Sequence, residues 1–169
     1  MLRLIAPVLL ALSGGQAAVV TAQQGAPTEP AKVLYYPADA NGADVLGRAL
    51  SSAAARNHRA VIVFGADWCH DSRALAKVLT SPAFKGEFAG LYDVSFIDVG
   101  KPQTGAGHNL ELVKRLGVKN LKSTPALFVI SPHGALLNGT KDAVGWRNAD
   151  SRGPEAITAW FRSFDKKQR

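Results

Sequence analysis

The apolar segment at residues 60–64 (Ala-Val-Ile-Val-Phe) is the feature that most constrains the fold of this chain. Five consecutive apolar residues, rich in β-branched side chains, predict a strand that is buried on both faces. Gly65-Ala66-Asp67 ends the run. A strand of this kind needs helices on both faces of its sheet. With 169 residues, the chain is long enough for one such domain with a proper core.

Apolar residues at helical or strand spacing predict the remaining elements. Helices are predicted over residues 44–56, 69–79, 83–88 and 110–116 and after Gly153-Pro154, and strands over 91–99, 126–130 and 135–137. Asp39 or Asn41 is the expected cap of the first helix. This order predicts an α/β fold, a three-layer α/β/α sandwich whose mixed central sheet is closed by a C-terminal β-hairpin and helix.

Both ends of the chain are predicted to lie outside this domain. Residues 1–22 combine a short basic start, an apolar run and small residues, which is typical of a secretory signal peptide; an uncleaved anchor or a misplaced start is the alternative. Residues 23–42 are predicted as a polar linker or N-terminal extension, 43–165 as the domain and 166–169 as a basic tail. The sequence thus indicates an exported protein without stable membrane insertion after signal cleavage.

The formal net charge of +7 does not by itself indicate a nucleic-acid partner. The basic residues are scattered, and neither an aromatic ladder nor a nucleic-acid motif accompanies them. We expect a solvated basic surface, with weak attraction to anionic lipid or acidic partners as the alternative.

The single cysteine, Cys69, limits the covalent chemistry of the chain, because no intramolecular disulfide can form. Cys69 follows the buried strand and stands at the first turn of a helix. The unpaired N–H groups and partial positive charge of that turn stabilise a thiolate, the nucleophile of disulfide exchange. We therefore expect an exposed, functional thiol; a small, buried and inert residue is the alternative.

Four neighbouring side chains bear on this thiol. Ser72 lies three residues after Cys69, on the same helix face, so its hydroxyl is a candidate donor to the sulfur. A protonated His70 favours the thiolate, whereas Asp67 and Asp71 disfavour it. The sequence leaves open which effect dominates. Ordinary polar surface is the alternative for Ser72 and His70, and a favourable charge in the first helical turn is the alternative for Asp71.

Neither a metal nor a cofactor is expected at this position. Cys69, His70 and Asp71 are consecutive and cannot all face one ion from a helix, and the other histidines lack ligand spacing. The glycine-containing loop over residues 100–108 lacks a dinucleotide fingerprint.

These segments resemble the thioredoxin superfamily over residues 43–165. The resemblance is carried by strand 61–64, by the residues through Trp68-Cys69, by Ser123-Thr124-Pro125 and by the turn at 131–134. It implies a thioredoxin-like fold in which Cys69 is the attacking thiol, Trp68 flanks it, and a cis Pro125 with Thr124 holds extended substrate backbone. Residues 65–75 and 146–149 are similar to exported bacterial thioredoxin-family proteins, which implies a periplasmic location if the source is Gram-negative.

The chain departs from that family at two positions. The second cysteine of the family's Trp-Cys-x-x-Cys segment is Ser72, and the family's buried aspartate six residues before the attacking cysteine is Val63. We therefore predict a monothiol oxidoreductase without a cofactor. Cys69 forms mixed disulfides with protein or small-molecule partners, Ser72 stabilises the thiolate, and an external thiol releases the product. A module that binds extended peptides without turnover is the alternative.

Overall fold

The computed structural model describes residues 33–167, so the predicted signal peptide and the first half of the predicted linker, residues 23–32, lie outside the described residues. The helices are α1 (Gly42–Ala55), α2 (His70–Thr80), α3 (Pro82–Glu87), α4 (Leu110–Arg115), α5 (Thr140–Val144) and α6 (Ala149–Lys167). The strands are β1 (Arg59–Gly65), β2 (Tyr92–Asp98), β3 (Gly100–Lys101), β4 (Ala106–Gly107) and β5 (Ala126–Ile130). A 3₁₀ turn, Pro102–Thr104, joins β3 to β4.

The central sheet contains β2, β1 and β5 in that order. β1 is parallel to β2, with Val61 opposite Val94, and antiparallel to β5, with Val61 opposite Val129. Every residue of β1 after Arg59 is buried. The prediction of a mixed sheet around a strand buried on both faces is therefore confirmed.

Alternate residues of β1 enter two separate apolar cores. Val61 and Val63 pack with residues of α2 and α6, including Leu75. On the opposite face, Ile62 and Phe64 pack with residues of α1 and α4. Since helices cover both faces, the predicted three-layer α/β/α sandwich is confirmed.

The hairpin after β5 has a shorter second arm than the strand predicted over residues 135–137. Leu136 pairs with Ile130 through a single bridge. The buried Asn138 side chain then pairs with β5: its Oδ1 accepts from the N–H of Val129 at 2.8 Å, and its Nδ2 donates to the carbonyl of Leu127 at 2.9 Å. An amide side chain offers the same donor and acceptor as a peptide group, so it takes the place of the missing strand backbone.

The last helix is interrupted where the sequence predicts its start. Gly153 has a φ of 74°, a left-handed conformation that glycine adopts without steric cost. The regular helix runs from Pro154 and buries Ile157 and Phe161 against the sheet. It continues through Lys167, so part of the predicted basic tail is helical.

Residues 33–41 are folded against the domain. Tyr36 is only 2% exposed, and its ring meets that of Phe96 edge-on with the centroids 5.4 Å apart. Asn41 caps α1 by accepting from the N–H groups of Ala43 and Asp44. The folded domain therefore begins before the predicted boundary at residue 43. Among residues 33–167, no helix has both the length and the apolar character needed to span a membrane.

Candidate active site

Cys69 is the residue at which the turn after β1 becomes α2. Its extended backbone (φ −84°, ψ 122°) makes it the N-cap of that helix. Its N–H donates to the carbonyl of Ala66 at 3.1 Å, and its carbonyl accepts from the N–H of Arg73 at 3.1 Å. The predicted placement of the thiol between a buried strand and a helix start is confirmed.

The prediction of an exposed Cys69 thiol is wrong, because the residue is 7% exposed. Its Sγ donates to the carbonyl oxygen of Thr124 at 3.6 Å. The sulfur nevertheless belongs to neither of the two apolar cores. The segment before β5 covers it from one side, and this long-range contact has no local signal in the sequence.

The Thr124–Pro125 peptide bond is cis, as the resemblance to thioredoxins implies. Both residues are buried and stand directly before β5. The structure therefore brings Cys69, Thr124 and Pro125 together. Within residues 33–167 the Thr124 hydroxyl has no hydrogen-bond partner.

Ser72 lies in an enclosed position beneath the thiol turn. It is fully buried, and its hydroxyl has no partner in the described part of the chain, so the expected hydrogen bond from Ser72 to the sulfur is not formed. Instead, the carbonyl of Ser72 accepts from the phenol of Tyr36 at 3.1 Å. A Cβ at Gly65 would lie 2.8 Å from the Ser72 hydroxyl and 2.7 Å from the Tyr36 ring, so only glycine allows this close packing.

His70 and Asp71, the two predicted modulating residues, interact with each other. The His70 side chain is 71% exposed, and its Nε2 lies 3.3 Å from Oδ2 of Asp71. Asp71 is buried, and its Oδ1 accepts from the backbone N–H of Asp150 at 3.0 Å. Asp71 therefore holds the start of α6 against α2. Within residues 33–167, no cluster of three His, Cys, Asp or Glu side chains is suited to a metal ion.

Trp68 borders an open groove next to the thiol. The residue is 44% exposed, and its indole Nε1 donates to the carbonyl of Gly100 at 2.9 Å. The groove has a volume of about 840 Å³, and Leu34 and His108 also line it. Nε2 of His108 lies 2.7 Å from Oδ2 of Asp98 in its wall. The exposed indole therefore presents an apolar surface to this groove.

Tyr36 is a part of the site that the sequence did not indicate, and Asp67, expected only as a charge that disfavours the thiolate, has a structural role there. The Asp67 carboxylate accepts from the N–H groups of Tyr35 and Tyr36, both at 3.0 Å, which fixes the N-terminal segment across the thiol turn. Burial raises the pKa of Tyr36 well above its usual value, and negative charge on Cys69 raises it further. The Tyr36 phenol is thus a neutral donor at physiological pH. The short apolar run over residues 33–36 is the signal in the sequence for this segment, and it indicates no more than apolar packing.

A mixed sheet between two helical layers, with a thiol at a helix start facing a cis proline, defines a thioredoxin-like fold. The chain is similar to the solved structure of a disulphide isomerase from Xylella fastidiosa Temecula1. The two chains are 28% identical with a TM-score of 0.68, and the match covers 81% of this chain and 98% of that one. No protein-family model and no curated protein matches the chain.

Proposed function

We propose that this protein performs thiol–disulfide exchange as a monothiol, with Cys69 as the nucleophile. The observation that carries the proposal is the position of the Cys69 sulfur, at the start of α2 and 3.6 Å from the carbonyl before cis Pro125. The similarity to a disulphide isomerase supports the same class of reaction.

The exchange involves one sulfur of the protein and two of the substrate. The Cys69 thiolate attacks one substrate sulfur, the substrate S–S bond breaks, and a bond between Cys69 and that sulfur forms. The second substrate sulfur leaves as a thiolate and takes up a proton from solvent, which balances the proton that Cys69 loses. Because the chain has one cysteine, a thiol from outside the chain releases the adduct: it attacks the substrate sulfur, a disulfide forms between the two, and Cys69 leaves as a thiolate.

The residues around the sulfur have distinct parts in this reaction. The free N–H groups of the first turn of α2 favour the thiolate. The Ser72 hydroxyl has no hydrogen-bond partner among the described residues. When Cys69 ionises, its sulfur no longer donates to Thr124, and the Ser72 hydroxyl can then donate to the thiolate. Trp68 and the Thr124–Pro125 segment hold the substrate chain. We place the reaction outside the cytoplasm, because residues 1–22 have the composition of a signal peptide and disulfides persist in oxidising compartments.

The proposal is tested by forming and releasing a defined adduct. The purified protein is mixed with 2,2′-dipyridyl disulfide, and its intact mass is measured before and after addition of 2-mercaptoethanol. We expect one thiopyridyl group on Cys69, followed by its release. Cys69→Ser is the control and gains no mass. Absence of an adduct on the folded protein would contradict the proposal.

The low exposure of Cys69 favours a second candidate, a module that binds extended peptides without turnover. In that case Trp68 and the segment before Pro125 provide the contact surface and the thiol is inert. Retention of a peptide equally by the protein and by Cys69→Ser, without adduct formation, would support this second candidate.

A further inference from the structure

A basic groove lies beside the segment that contacts the thiol. Its volume is about 550 Å³. One wall is the chain from Asn120 to Ser123, just before the cis proline, and the other is α5 with the residues that follow it. Three cations line the groove: Lys122, Lys141 and Arg147. None of the described residues that line it has a carboxylate, although Asp142 lies on α5.

The three cations of this groove are exposed, and none has an ion-pair partner within residues 33–167. Arg56 pairs with Asp93 and Arg162 pairs with Glu87 and Glu155, whereas other exposed cations such as Lys85 also have no ion pair within residues 33–167. What distinguishes the groove is that three such cations line one depression. The groove therefore has three positive side chains that no carboxylate of the described chain neutralises. Such a surface attracts an acidic ligand.

The groove is close enough to the thiol for one peptide to reach both. Ser123 lines the groove and adjoins Thr124, whose carbonyl contacts the Cys69 sulfur. An extended peptide advances about 3.3 Å per residue, so a chain whose cysteine lies at Cys69 reaches the groove within a few positions.

From these observations we propose that the groove selects substrates with acidic residues a few positions from their reactive cysteine. The inference rests on the proposed thiol–disulfide exchange and adds its substrate class. Lys122, Lys141 and Arg147 are specificity-determining residues for acidic peptides. These three side chains affect how fast and how tightly a substrate binds. The bonds that form and break at the Cys69 sulfur are the same as in the proposed exchange.

The test compares short peptides that each carry one cysteine activated as a thiopyridyl disulfide. Each peptide has two Glu, two Gln or two Lys residues on one side of its cysteine. Separate peptides place these residues on the N-terminal side and on the C-terminal side. The release of thiopyridone gives the rate constant with the folded protein. We expect the Glu peptides on one side to react roughly five- to tenfold faster than their Gln counterparts at low salt and the Lys peptides more slowly, with the differences shrinking near 1 M salt.

Substitutions of the groove's cations test whether the preference for Glu peptides arises at the groove. Lys122→Glu and Arg147→Glu should abolish or reverse the Glu preference, and Lys122→Gln should reduce it. Lys85→Glu removes an exposed lysine on α3, at the far end of α2 from the thiol, and should keep the full preference. A preference that survives Lys122→Glu and Arg147→Glu would overturn the assignment to this groove.

Neutral 2,2′-dipyridyl disulfide separates this inference from the function on which it rests. Equal rates for Glu and Gln peptides, with normal reaction of the neutral disulfide, would overturn the acidic preference alone. Failure of the neutral disulfide to react would overturn the exchange activity itself.

Discussion

The Sγ of Cys69 lies 3.6 Å from the carbonyl oxygen of Thr124, although 55 positions separate the two residues in the chain. In the thiol form the sulfur is the donor and this oxygen the acceptor. Ionisation of Cys69 removes the proton and ends the hydrogen bond, which leaves this oxygen without its donor. Under the proposed function, this oxygen is then a backbone acceptor for an extended substrate.

Replacing Ser72 by cysteine restores the two-cysteine spacing that this chain lacks. Positions 69 and 72 share a helix face, and the Ser72 hydroxyl is buried. We expect Ser72→Cys to form an intramolecular disulfide on mild oxidation, measured as loss of both thiols in a titration of the unfolded protein. Ser51→Cys, on the exposed side of α1, should retain both thiols. Two persistent thiols in Ser72→Cys would contradict the arrangement.

The buried phenol of Tyr36 should make the folded protein less stable as the pH rises through the alkaline range. Its pKa is raised by burial, so the folded protein retains a proton that the unfolded chain loses near pH ~10. Stability should fall above about pH 10 with a slope of up to about 1.4 kcal/mol per pH unit from this group. Tyr36→Phe should reduce the slope and Tyr35→Phe should keep it, as measured by urea unfolding across the alkaline range. Parallel pH profiles for the wild type and Tyr36→Phe would contradict the account.

Asp71 is expected to contribute to stability through α6. Asp71→Ala removes the acceptor for the N–H of Asp150 in a partly buried contact and should cost about 1–2 kcal/mol in the free energy of unfolding. Asp71→Asn keeps an oxygen at that position and should cost less. Asp44→Ala, which removes an exposed carboxylate in the first turn of α1, should cost about 0.3–1 kcal/mol. Equal losses for all three in urea unfolding would show that the contact with Asp150 contributes nothing.

Asn138 is expected to stabilise the fold through its two hydrogen bonds to the backbone of β5. Asn138→Ala leaves the N–H of Val129 and the carbonyl of Leu127 without their partner, at a cost of about 2–4 kcal/mol. Asn120→Ala removes an exposed amide and should change the free energy of unfolding by less than about 0.5 kcal/mol. Urea midpoints measure both, and a wild-type midpoint for Asn138→Ala would contradict this assignment.

Features set by local pattern were predictable from the sequence. The apolar run at 60–64 gave β1, the spacing of Leu75, Val78 and Leu79 gave α2, and Pro154 marked the regular start of the last helix. These elements follow from hydrophobic period and from the restricted backbone of proline, which act within a few residues.

Contacts between distant residues were not predictable in the same way. The burial of Cys69 depends on Thr124, and the position of Tyr36 depends on Asp67. Asn138 acts as a strand substitute because β5 lacks a regular neighbour there. In each of these contacts a polar group is paired with a residue that is distant in the sequence and close only in the folded chain. The spacing of apolar residues along the sequence therefore does not predict it.

The rate of reaction between Cys69 and 2,2′-dipyridyl disulfide, measured in folded and in urea-unfolded protein at the same pH, tests the central claim most directly. We expect Cys69 to react at least as fast in the folded protein as in the unfolded chain. An inert buried thiol reacts only as fast as the protein unfolds, and a folded-state rate that follows the urea unfolding curve would contradict the account.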